Sequence, residues 1–442
     1  MLNSAAAEML RPVARSTDLI TASSVTALVH AVDSSAEIYT AVDNLRQNVG
    51  NTEVSLGEII CILDSWAKRL DDRDLDDSTG IPFLRMWLRR GTLEPIVARE
   101  LGSNALQGQW GEYGRAKCRV FPIGVVGHWP AGNVEIQPVL SMTCALLGGN
   151  AALVRIPAGL VDLTQRLIES LMECDPDGIV TSRIFMVAFE HGRQDLQEAM
   201  ARSVDGAMIW GGEEAVLHVR SLPFPYWARL AVFGPRMSVA AMDAGAWGDR
   251  HQRDLWCRRL VRDVWQFDQQ ACSSPQMLFL EKSPGSSGRE FIDVLGRAFE
   301  SENQAHPRRT IASGLTSKIC HARATWLLKD TRHKAVFPTG PDWTLLLGSE
   351  SDLSSPIQGK TLTVVEVDNL LDPISKFNGN VQTMGLGMAD SAKERAIAAL
   401  AGKRGVDRIV KLGHMHVFAS PWDGVDLIRP MVRMVRHVCS ND

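Results

Sequence analysis

The 442-residue sequence lacks several patterns that mark whole classes of protein. Its eight cysteines include no CxxC pair, which argues against a zinc finger or a disulfide framework and favours a reducing cytoplasm. No apolar run is long enough to span a bilayer, and the N-terminus lacks the basic start and apolar run of a signal peptide. A net charge of −4 gives no reason to expect nucleic acid or an anionic membrane as a partner. We therefore expect a cytoplasmic globular protein with no metal site.

Residues 1–110 alternate helical segments with polar breaks, and Leu56–Leu70 is the clearest predicted helix. From residue 111 to 240, strand and helix patterns alternate, with a helix predicted at Val134–Leu147. Serial strand–helix–strand crossovers imply a parallel sheet covered by helices on both faces, with a ligand at the carboxyl ends of its strands. The predicted strands are Val120–Gly127, Ala151–Ile156, Ile184–Phe189, Gly206–Trp210 and Arg229–Phe233.

A second alternating region covers residues 241–415, and a C-terminal segment at 416–442 is expected to pack back on the fold or to form an oligomer contact. The second region carries the cysteine discussed next, so we expect chemistry in the cleft between the two lobes. Its predicted strands are Met277–Leu280, Trp343–Leu347, Leu362–Val367, Gln382–Gly385, Ile409–Val410 and His416–Ala419.

Cys272 stands alone in a short polar connection between a predicted helix, capped by Asp249, and a predicted buried strand. A free cysteine is more often a small buried hydrophobic residue than a nucleophile. The Gln-Gln and Ser-Ser flanks favour the nucleophile, because a core cysteine normally has apolar neighbours. Backbone N–H groups and small neighbours on such a loop suit a reactive thiolate. Cys272 is therefore the predicted nucleophile.

The first lobe has the topology of a dinucleotide-binding domain but no GxGxxG motif after its first strand, so spacing alone supports a cofactor weakly. Three other stretches occupy the expected connections. Pro130–Asn133 opens a helix, Val154–Pro157 closes the next strand, and Ile209–Glu213 joins a later strand to its helix.

Together with the cysteine loop, these stretches resemble the aldehyde dehydrogenase superfamily. Within it, the chain resembles the LuxC-type acyl-CoA reductases, a branch that includes the fatty-acid reductase component of bacterial bioluminescence. The segments that carry this resemblance are His128–Val134, Trp210–Glu214, Phe233–Pro235, Gln269–Gln276, Gly405–Val410 and Trp422–Gly424.

The resemblance implies an α/β, aldehyde-dehydrogenase-like fold. A mostly helical N-terminal region (1–110) would pack on a Rossmann-type, dinucleotide-binding domain with a parallel sheet (111–240), followed by an α/β catalytic domain (241–415). It implies Cys272 as nucleophile, and the Asn133 amide together with the Cys272 N–H as the oxyanion donors. The alternative role of Asn133 is a helix cap. The implied cofactor-binding residues are Trp129, Pro130, Arg155, Ile209, Trp210, Gly211, Gly212 and Gly234.

Two departures from the hydrolytic aldehyde dehydrogenases refine this expectation. Val232 stands where those enzymes carry a glutamate base, so a thioester on Cys272 would persist until a thiol or a hydride attacks it. Near Ser354–Gln358 the glutamate that usually grips the nicotinamide ribose has no counterpart. In the resembled superfamily, a lysine at the end of this strand contacts the adenosine ribose, and a glutamate three residues later, when present, repels a 2′-phosphate. Arg155 and Ala158 hold these two positions, so the resemblance implies a preference for NADPH over NADH. The alternative is that Arg155 pairs with a surface carboxylate.

The resemblance thus implies an enzyme that uses NADPH to reduce an acyl thioester to the aldehyde through a Cys272-bound acyl group. The acyl donor would be an acyl-CoA, which releases CoA, or an acyl-protein, with an acyl-protein synthetase as possible partner, and the enzyme would be a homo-oligomer. Two alternatives stay open. One is a cysteine acyltransferase or thioesterase without redox chemistry, and the other is a non-catalytic scaffold of an acyl-transfer complex.

Overall fold

The computed structural model describes residues 28–51, 54–71, 80–113, 116–308, 311–329, 333–349 and 356–438. The far N-terminus, where we predict no signal peptide, lies outside these residues, as do Ser354 and Ser355. In the N-terminal part the elements are β1 (Val29–Ala31), α1 (Ser35–Asn51), α2 (Leu56–Arg69), α3 (Ile81–Leu88) and α4 (Arg90–Leu101).

Helix α2 forms where its sequence pattern predicts it. Ser55 and Glu58 make a capping box, in which each side chain accepts a hydrogen bond from the other residue's backbone N–H. Ile59, Ile60 and Leu63 recur on one face and are fully buried. The helix packs on the first lobe, because Trp66 Nε1 donates to Ser170 Oγ at 2.8 Å.

The first lobe contains a six-stranded sheet, all parallel, in the order β1-β6-β5-β4-β7-β8. Its helices cover both faces, since Val125 packs in one core and its neighbour Val126 in the other. The elements of this part are β2 (Gly111–Tyr113), β3 (Ala116–Pro122), β4 (Val125–Trp129), α5 (Gln137–Leu146), β5 (Ala151–Arg155), α6 (Val161–Cys174), β6 (Ile184–Ala188), α7 (Gln194–Ser203), β7 (Gly206–Trp210), α8 (Glu213–Arg220) and β8 (Arg229–Phe233).

The second lobe is built on a seven-stranded sheet in the order β11-β12-β13-β10-β9-β14-β15, parallel except for the β11–β12 pair. Its elements are β9 (Met237–Met242), α9 (Ala244–Gly248), α10 (Arg250–Trp265), β10 (Pro275–Glu281), α11 (Gly288–Ala305), α12 (Ser313–Leu327), β11 (Lys334–Val336), β12 (Thr344–Gly348), β13 (Thr361–Val367), α13 (Leu371–Ser375), β14 (Val381–Gly387), α14 (Ser391–Lys403) and β15 (Arg408–Lys411). A third, antiparallel sheet joins β16 (Val432–His437) to β3 and β2.

The α/β class and most predicted elements are confirmed, and three local predictions are wrong. Val120–Gly127 is two strands in different sheets, separated at Gly124, where a Cβ would lie 2.3 Å from Asp205 Oδ2. Helix α5 starts at Gln137 after the N-cap Ile136, so Asn133 is not its cap. His416–Ala419 is not a strand: the His416 side chain bonds to Ser273 and Asp263, and Phe418 packs against Trp87.

The chain crosses between the two large sheets at residues 234–236, before the boundary placed at 240, because β9 already pairs with β10 and β14. In the C-terminal segment, β16 returns to pair with β3. The carboxyl ends of β4, β7 and β8 therefore face the amino ends of β9, β10 and β14, and the site lies between them.

Candidate active site

Cys272 lies on the connection between α10 and β10, as the sequence pattern predicts. Asp249 caps α10 by accepting a hydrogen bond from the Gln252 N–H at 2.9 Å. The predicted apolar face of α10 is buried: Trp256, Leu260, Val261, Val264 and Trp265 all pack in the core of the second lobe. Since β10 is buried along its whole length, both ends of the cysteine loop are anchored.

The loop carries an unusual backbone conformation just before Cys272. Phe267, Asp268 and Gln269 have φ angles of 53°, 53° and 61°, a left-handed region that non-glycine residues rarely adopt. The buried Gln269 side chain compensates by accepting from Thr361 N–H at 2.8 Å and donating to Thr361 O at 2.9 Å. The Arg308 guanidinium pairs with Asp268 at 2.6 Å. These contacts hold the loop against β13.

Residues from distant parts of the chain contact Cys272 and its neighbour Ser273. Gln382 Nε2 donates to Cys272 Sγ at 3.3 Å, and Ser238 Oγ donates to Cys272 O at 2.6 Å. The buried Ser273 Oγ lies 2.9 Å from His416 Nδ1. His416 Nε2 lies 2.7 Å from the backbone oxygen of Asp263 and must donate to it, so Nδ1 accepts from Ser273. This orientation requires a neutral imidazole, and burial lowers the pKa of His416 to about 4.

The electrostatic environment keeps the resting Cys272 thiol protonated. Burial, with a smaller contribution from the Asp423 carboxylate, raises the pKa of the Cys272 thiol to about 11. The hydrogen bond from Gln382 acts in the opposite direction, because it stabilises the thiolate. A nucleophilic role therefore requires a group that accepts the thiol proton.

A cavity of about 260 Å³ between the lobes brings Cys272 together with residues of the first lobe. Asn133 Nδ2 crosses the cleft and donates to Gln270 O at 2.7 Å. Six of the predicted site residues line this cavity: Cys272, Asn133, Trp210, Gly211, Gly212 and Gly234.

The other four predicted site residues do not line the cavity. Trp129 and Ile209 are buried in the core of the first lobe, and Pro130 is the buried neighbour of the lining residue Ala131. Arg155 ends β5, with its guanidinium stacked on the Phe189 ring at 5.1 Å. Arg155 therefore lies at the carboxyl edge of the sheet, outside the lining of the cavity that holds Cys272.

The residues at this edge fit a nicotinamide dinucleotide. A Cβ added at Gly212 or Gly234 would meet nothing within 4 Å, so a ligand can approach the backbone closely there. Arg155 Nε is buried without a hydrogen-bond partner, and no carboxylate in the described part of the chain pairs with this guanidinium. A half-buried cation without a counter-ion suits a phosphate ligand.

A second, largely apolar cavity of about 380 Å³ adjoins the first and shares Met237 and Pro356 with it. It extends from the cavity of Cys272 toward α13, which contributes Pro373 to its wall. The other apolar side chains on its walls are Val239, Met277, Phe279, Pro373, Phe377 and Val381.

The structure changes the expectation for Val232, the residue that the resemblance aligns with the glutamate base. Its side chain packs in the core of the first lobe, and the cavity wall at the end of β8 is Phe233, stacked on Trp210 at 3.8 Å. Because side chains alternate along a strand, a glutamate at position 232 would not face Cys272.

The sequence reasoning missed Gln382, Asp423 and His416. The cavity does hold a carboxylate, that of Asp423, and Gln382 Nε2 donates to it. Trp422–Gly424 is one of the segments that resemble the family, but the resemblance implies no role for Asp423. Only an Asp-Gly pair between apolar residues, typical of a tight turn, marked the position.

Two further features are absent from the described residues. No group of three or more His, Cys, Asp or Glu side chains there could hold a metal ion. No helix within the described ranges is long and apolar enough to cross a membrane.

Two α/β lobes with a cysteine loop between them are the architecture of the aldehyde dehydrogenase fold. A crystal structure of aldehyde dehydrogenase from Brucella melitensis biovar abortus 2308 superimposes with a TM-score of 0.69 at 13% identity, covering 92% of this chain and 90% of that chain. A crystal structure described as an E. coli NADP dependent enzyme gives a TM-score of 0.68 at 12% identity, covering 91% and 90%.

The family is defined by sequence. The profile of the family described as acyl-CoA reductase (LuxC) matches residues 33–436, so the chain belongs to the acyl-CoA reductase (LuxC) family. Similar proteins include the long-chain acyl-protein thioester reductases of Vibrio harveyi, 23% identical over 360 residues, and of Photorhabdus luminescens, 25% identical over 369 residues. These alignments cover 79% of this chain and 71% and 70% of the two relatives.

Proposed function

We propose that this enzyme reduces an acyl thioester to the aldehyde, with NADPH as reductant and an acyl group carried on Cys272. The observation that carries the proposal is the shared cavity: the thiol, the Asn133 amide and the open glycine backbone of Gly212 and Gly234 line one space. The names of the similar proteins, long-chain acyl-protein thioester reductases, support the same reaction class.

In the proposed reaction, the Cys272 sulfur attacks the acyl carbonyl, and the bond to the donor thiol breaks to leave a thioester on Cys272. Asn133 binds Gln270 O through one amide hydrogen, and the second hydrogen is available to the oxyanion. A bound nicotinamide dinucleotide would supply the hydride that reduces this thioester. The tetrahedral intermediate on Cys272 then expels the sulfur and releases the aldehyde.

The preference for NADPH is assigned to Arg155. Its guanidinium lies at the carboxyl edge of β5 without a carboxylate partner among the described residues, which argues against the surface ion pair as an alternative. A 2′-phosphate would give it a bidentate partner, and Ala158 offers no carboxylate to repel that phosphate.

The apolar chain of the substrate is assigned to the second cavity. An apolar chain gains free energy by leaving water, and this cavity adjoins the cavity of Cys272 through Met237 and Pro356. We therefore infer a fatty acyl substrate, delivered as acyl-CoA with release of CoA or as an acyl-protein. An acyl-protein synthetase as partner, a homo-oligomeric assembly and a cytoplasmic location remain part of the proposal.

The decisive experiment follows the acyl group. Wild-type protein incubated with dodecanoyl-CoA alone should gain one dodecanoyl group on Cys272, detected by mass spectrometry, and then release dodecanal when NADPH is added. Cys272→Ala should neither gain the dodecanoyl group nor release dodecanal. The control Cys320→Ala, a change at an exposed cysteine of α12, should be acylated and should release dodecanal. Acylation that survives in Cys272→Ala would contradict the proposal.

The same samples separate the two alternatives. An acyltransferase or thioesterase would acylate Cys272 but would not change NADPH fluorescence or form aldehyde. A scaffold would not acylate at all.

A further inference from the structure

Asp423 stands in a tight turn that points toward the nucleophile. Trp422 and Val425 exchange two backbone hydrogen bonds of 2.9 Å, so Asp423 and Gly424 are the two central residues of a hairpin turn. Their φ angles, 51° and 72°, are both left-handed, as an Asp-Gly turn of type I′ requires. Turn chemistry alone accounts for an aspartate here, but it does not account for the burial of its carboxylate in the cavity of Cys272.

Gln382 connects the carboxylate to the thiol. Its Nε2 carries two hydrogens and contacts Cys272 Sγ at 3.3 Å and Asp423 Oδ1 by a short hydrogen bond. The Gln382 side chain is buried on β14, so the sheet holds the amide that makes both contacts. Cys272 and Asp423 therefore accept from one amide nitrogen and face the same cavity.

Two arginines on other elements lie near Asp423 and favour its charged form. Arg236, in the connection between the lobes, pairs with Asp407, and the Arg408 guanidinium stacks on the Trp422 ring at 4.1 Å. Burial raises the pKa of Asp423, and the Gln382 hydrogen bond and the two arginines lower it. The nearby Asp423 charge in turn helps to raise the pKa of Cys272. If the proton moves from the thiol to the carboxylate, the sulfur becomes negative and the carboxyl group becomes neutral. The pair then carries one negative charge, as before, and the two groups do not repel each other.

We propose that Asp423 is the acid–base residue of the acylation step, taking the proton of the Cys272 thiol and returning it to the departing donor thiol. This inference rests on the proposed function and assigns its missing proton acceptor. The proton passes through the shared cavity, directly or by one water molecule.

The step balances without another reactant. The Cys272 S–H bond breaks, its proton joins the Asp423 carboxylate, and the sulfur forms a bond to the acyl carbon. The tetrahedral intermediate collapses, the bond from carbon to the donor sulfur breaks, and the Asp423 carboxylic acid protonates that sulfur. Asp423 ends as the carboxylate, and no group is oxidised or reduced.

Asp423→Asn tests this role with two rates that move in opposite directions. Asparagine tolerates the left-handed conformation and keeps the Asn-Gly turn, so the fold is preserved. Loss of the negative charge should lower the thiol pKa, so iodoacetamide should alkylate Cys272 faster at pH 8, with its pH profile shifted to lower pH. Acylation by dodecanoyl-CoA in a single turnover should instead slow by roughly two to four decades, because the general base is gone.

Asp426→Asn is the matched control, an identical change three positions later at a carboxylate that pairs with Arg99 at 2.9 Å outside the cavity. It should leave both rates at the wild-type values. An Asp423→Asn variant that acylates at the wild-type rate, or one in which alkylation and acylation slow together, would overturn the acid–base role. Alkylation needs no acyl substrate, so a wild type that alkylates but never acylates would overturn the proposed function, and the role of Asp423 with it.

Discussion

The side-chain amide of Gln382 donates a hydrogen bond to the sulfur of Cys272 at 3.3 Å, although 110 positions separate the two residues in the chain. The contact joins the start of β14 to the loop before β10. Because both strands start at the same edge of the second sheet, their first residues meet at the cleft between the lobes. Gln382 and Asp423, which follow Cys272 in the chain, thus meet the earlier residues Asn133 and Ser238 around this loop.

Asn133→Ala should lower the turnover number by roughly two to three decades, the range for loss of one oxyanion donor, with little effect on the fold. Steady-state kinetics with dodecanoyl-CoA and NADPH measures the change, and thermal denaturation checks the fold. An unchanged turnover number would mean that Asn133 only links the lobes through Gln270.

Arg155→Ala should reduce kcat/KM with NADPH by roughly ten- to hundredfold, since hydrogen bonds to a charged group are lost. The value with NADH should change little, so the preference for NADPH should shrink. Arg166→Ala, at an exposed arginine of α6 in the same lobe, is the control and should change neither value. A wild type that uses NADH as well as NADPH would refute the assignment.

Asn380→Trp should discriminate between acyl chains by their length. Asn380 is exposed at the rim of the apolar cavity, so a larger side chain there can obstruct it without disturbing the core. We expect kcat/KM to fall roughly tenfold for dodecanoyl-CoA and to be nearly unchanged for butanoyl-CoA. Equal losses for the two substrates would show that the chain lies elsewhere.

Asp263→Asn should change how stability depends on pH. Burial raises the pKa of the Asp263 carboxyl to about 7, although it accepts hydrogen bonds from Gly413 and Met415 N–H. Between the unfolded value of about 4 and this folded value, the native state binds the extra proton. The contribution of this group to the free energy of unfolding is therefore fully present below pH 4, and it is lost as pH rises to 7.

The variant lacks this titration, so its unfolding free energy relative to the wild type should rise by about 1.4 kcal/mol per pH unit within that window. Urea denaturation of both proteins at several pH values measures the difference. A difference that does not vary with pH would mean that Asp263 is ionised in the native state throughout.

Much of the fold could be predicted from local sequence patterns. The strands Gly206–Trp210 and Arg229–Phe233 form with the predicted bounds, and Asp249 caps α10 as expected, because hydrophobic periodicity and capping act over a few residues. Cys272 could also be selected from its polar flanks. Its assignment as the nucleophile, together with that of Asn133, stays a prediction until the variants are measured.

Other features depend on contacts that no local pattern records. The break between β3 and β4 follows from the close approach of Asp205 to Gly124, and the inward direction of Phe233 rather than Val232 follows from the way β8 sits on β7. Residue type and spacing alone could not distinguish these outcomes.

The sequence by itself thus determined the elements, the family resemblance and the loop that carries the thiol, because each depends on neighbouring residues. Only the tertiary structure decided which groups surround Cys272. Gln382, Asp423 and His416 reach the loop from separate elements, and His416 lies 143 positions from its partner Ser273. Their proximity results from the order of strands in the second sheet and from the return of the chain after β15 to the cleft, and these are properties of the whole packed chain.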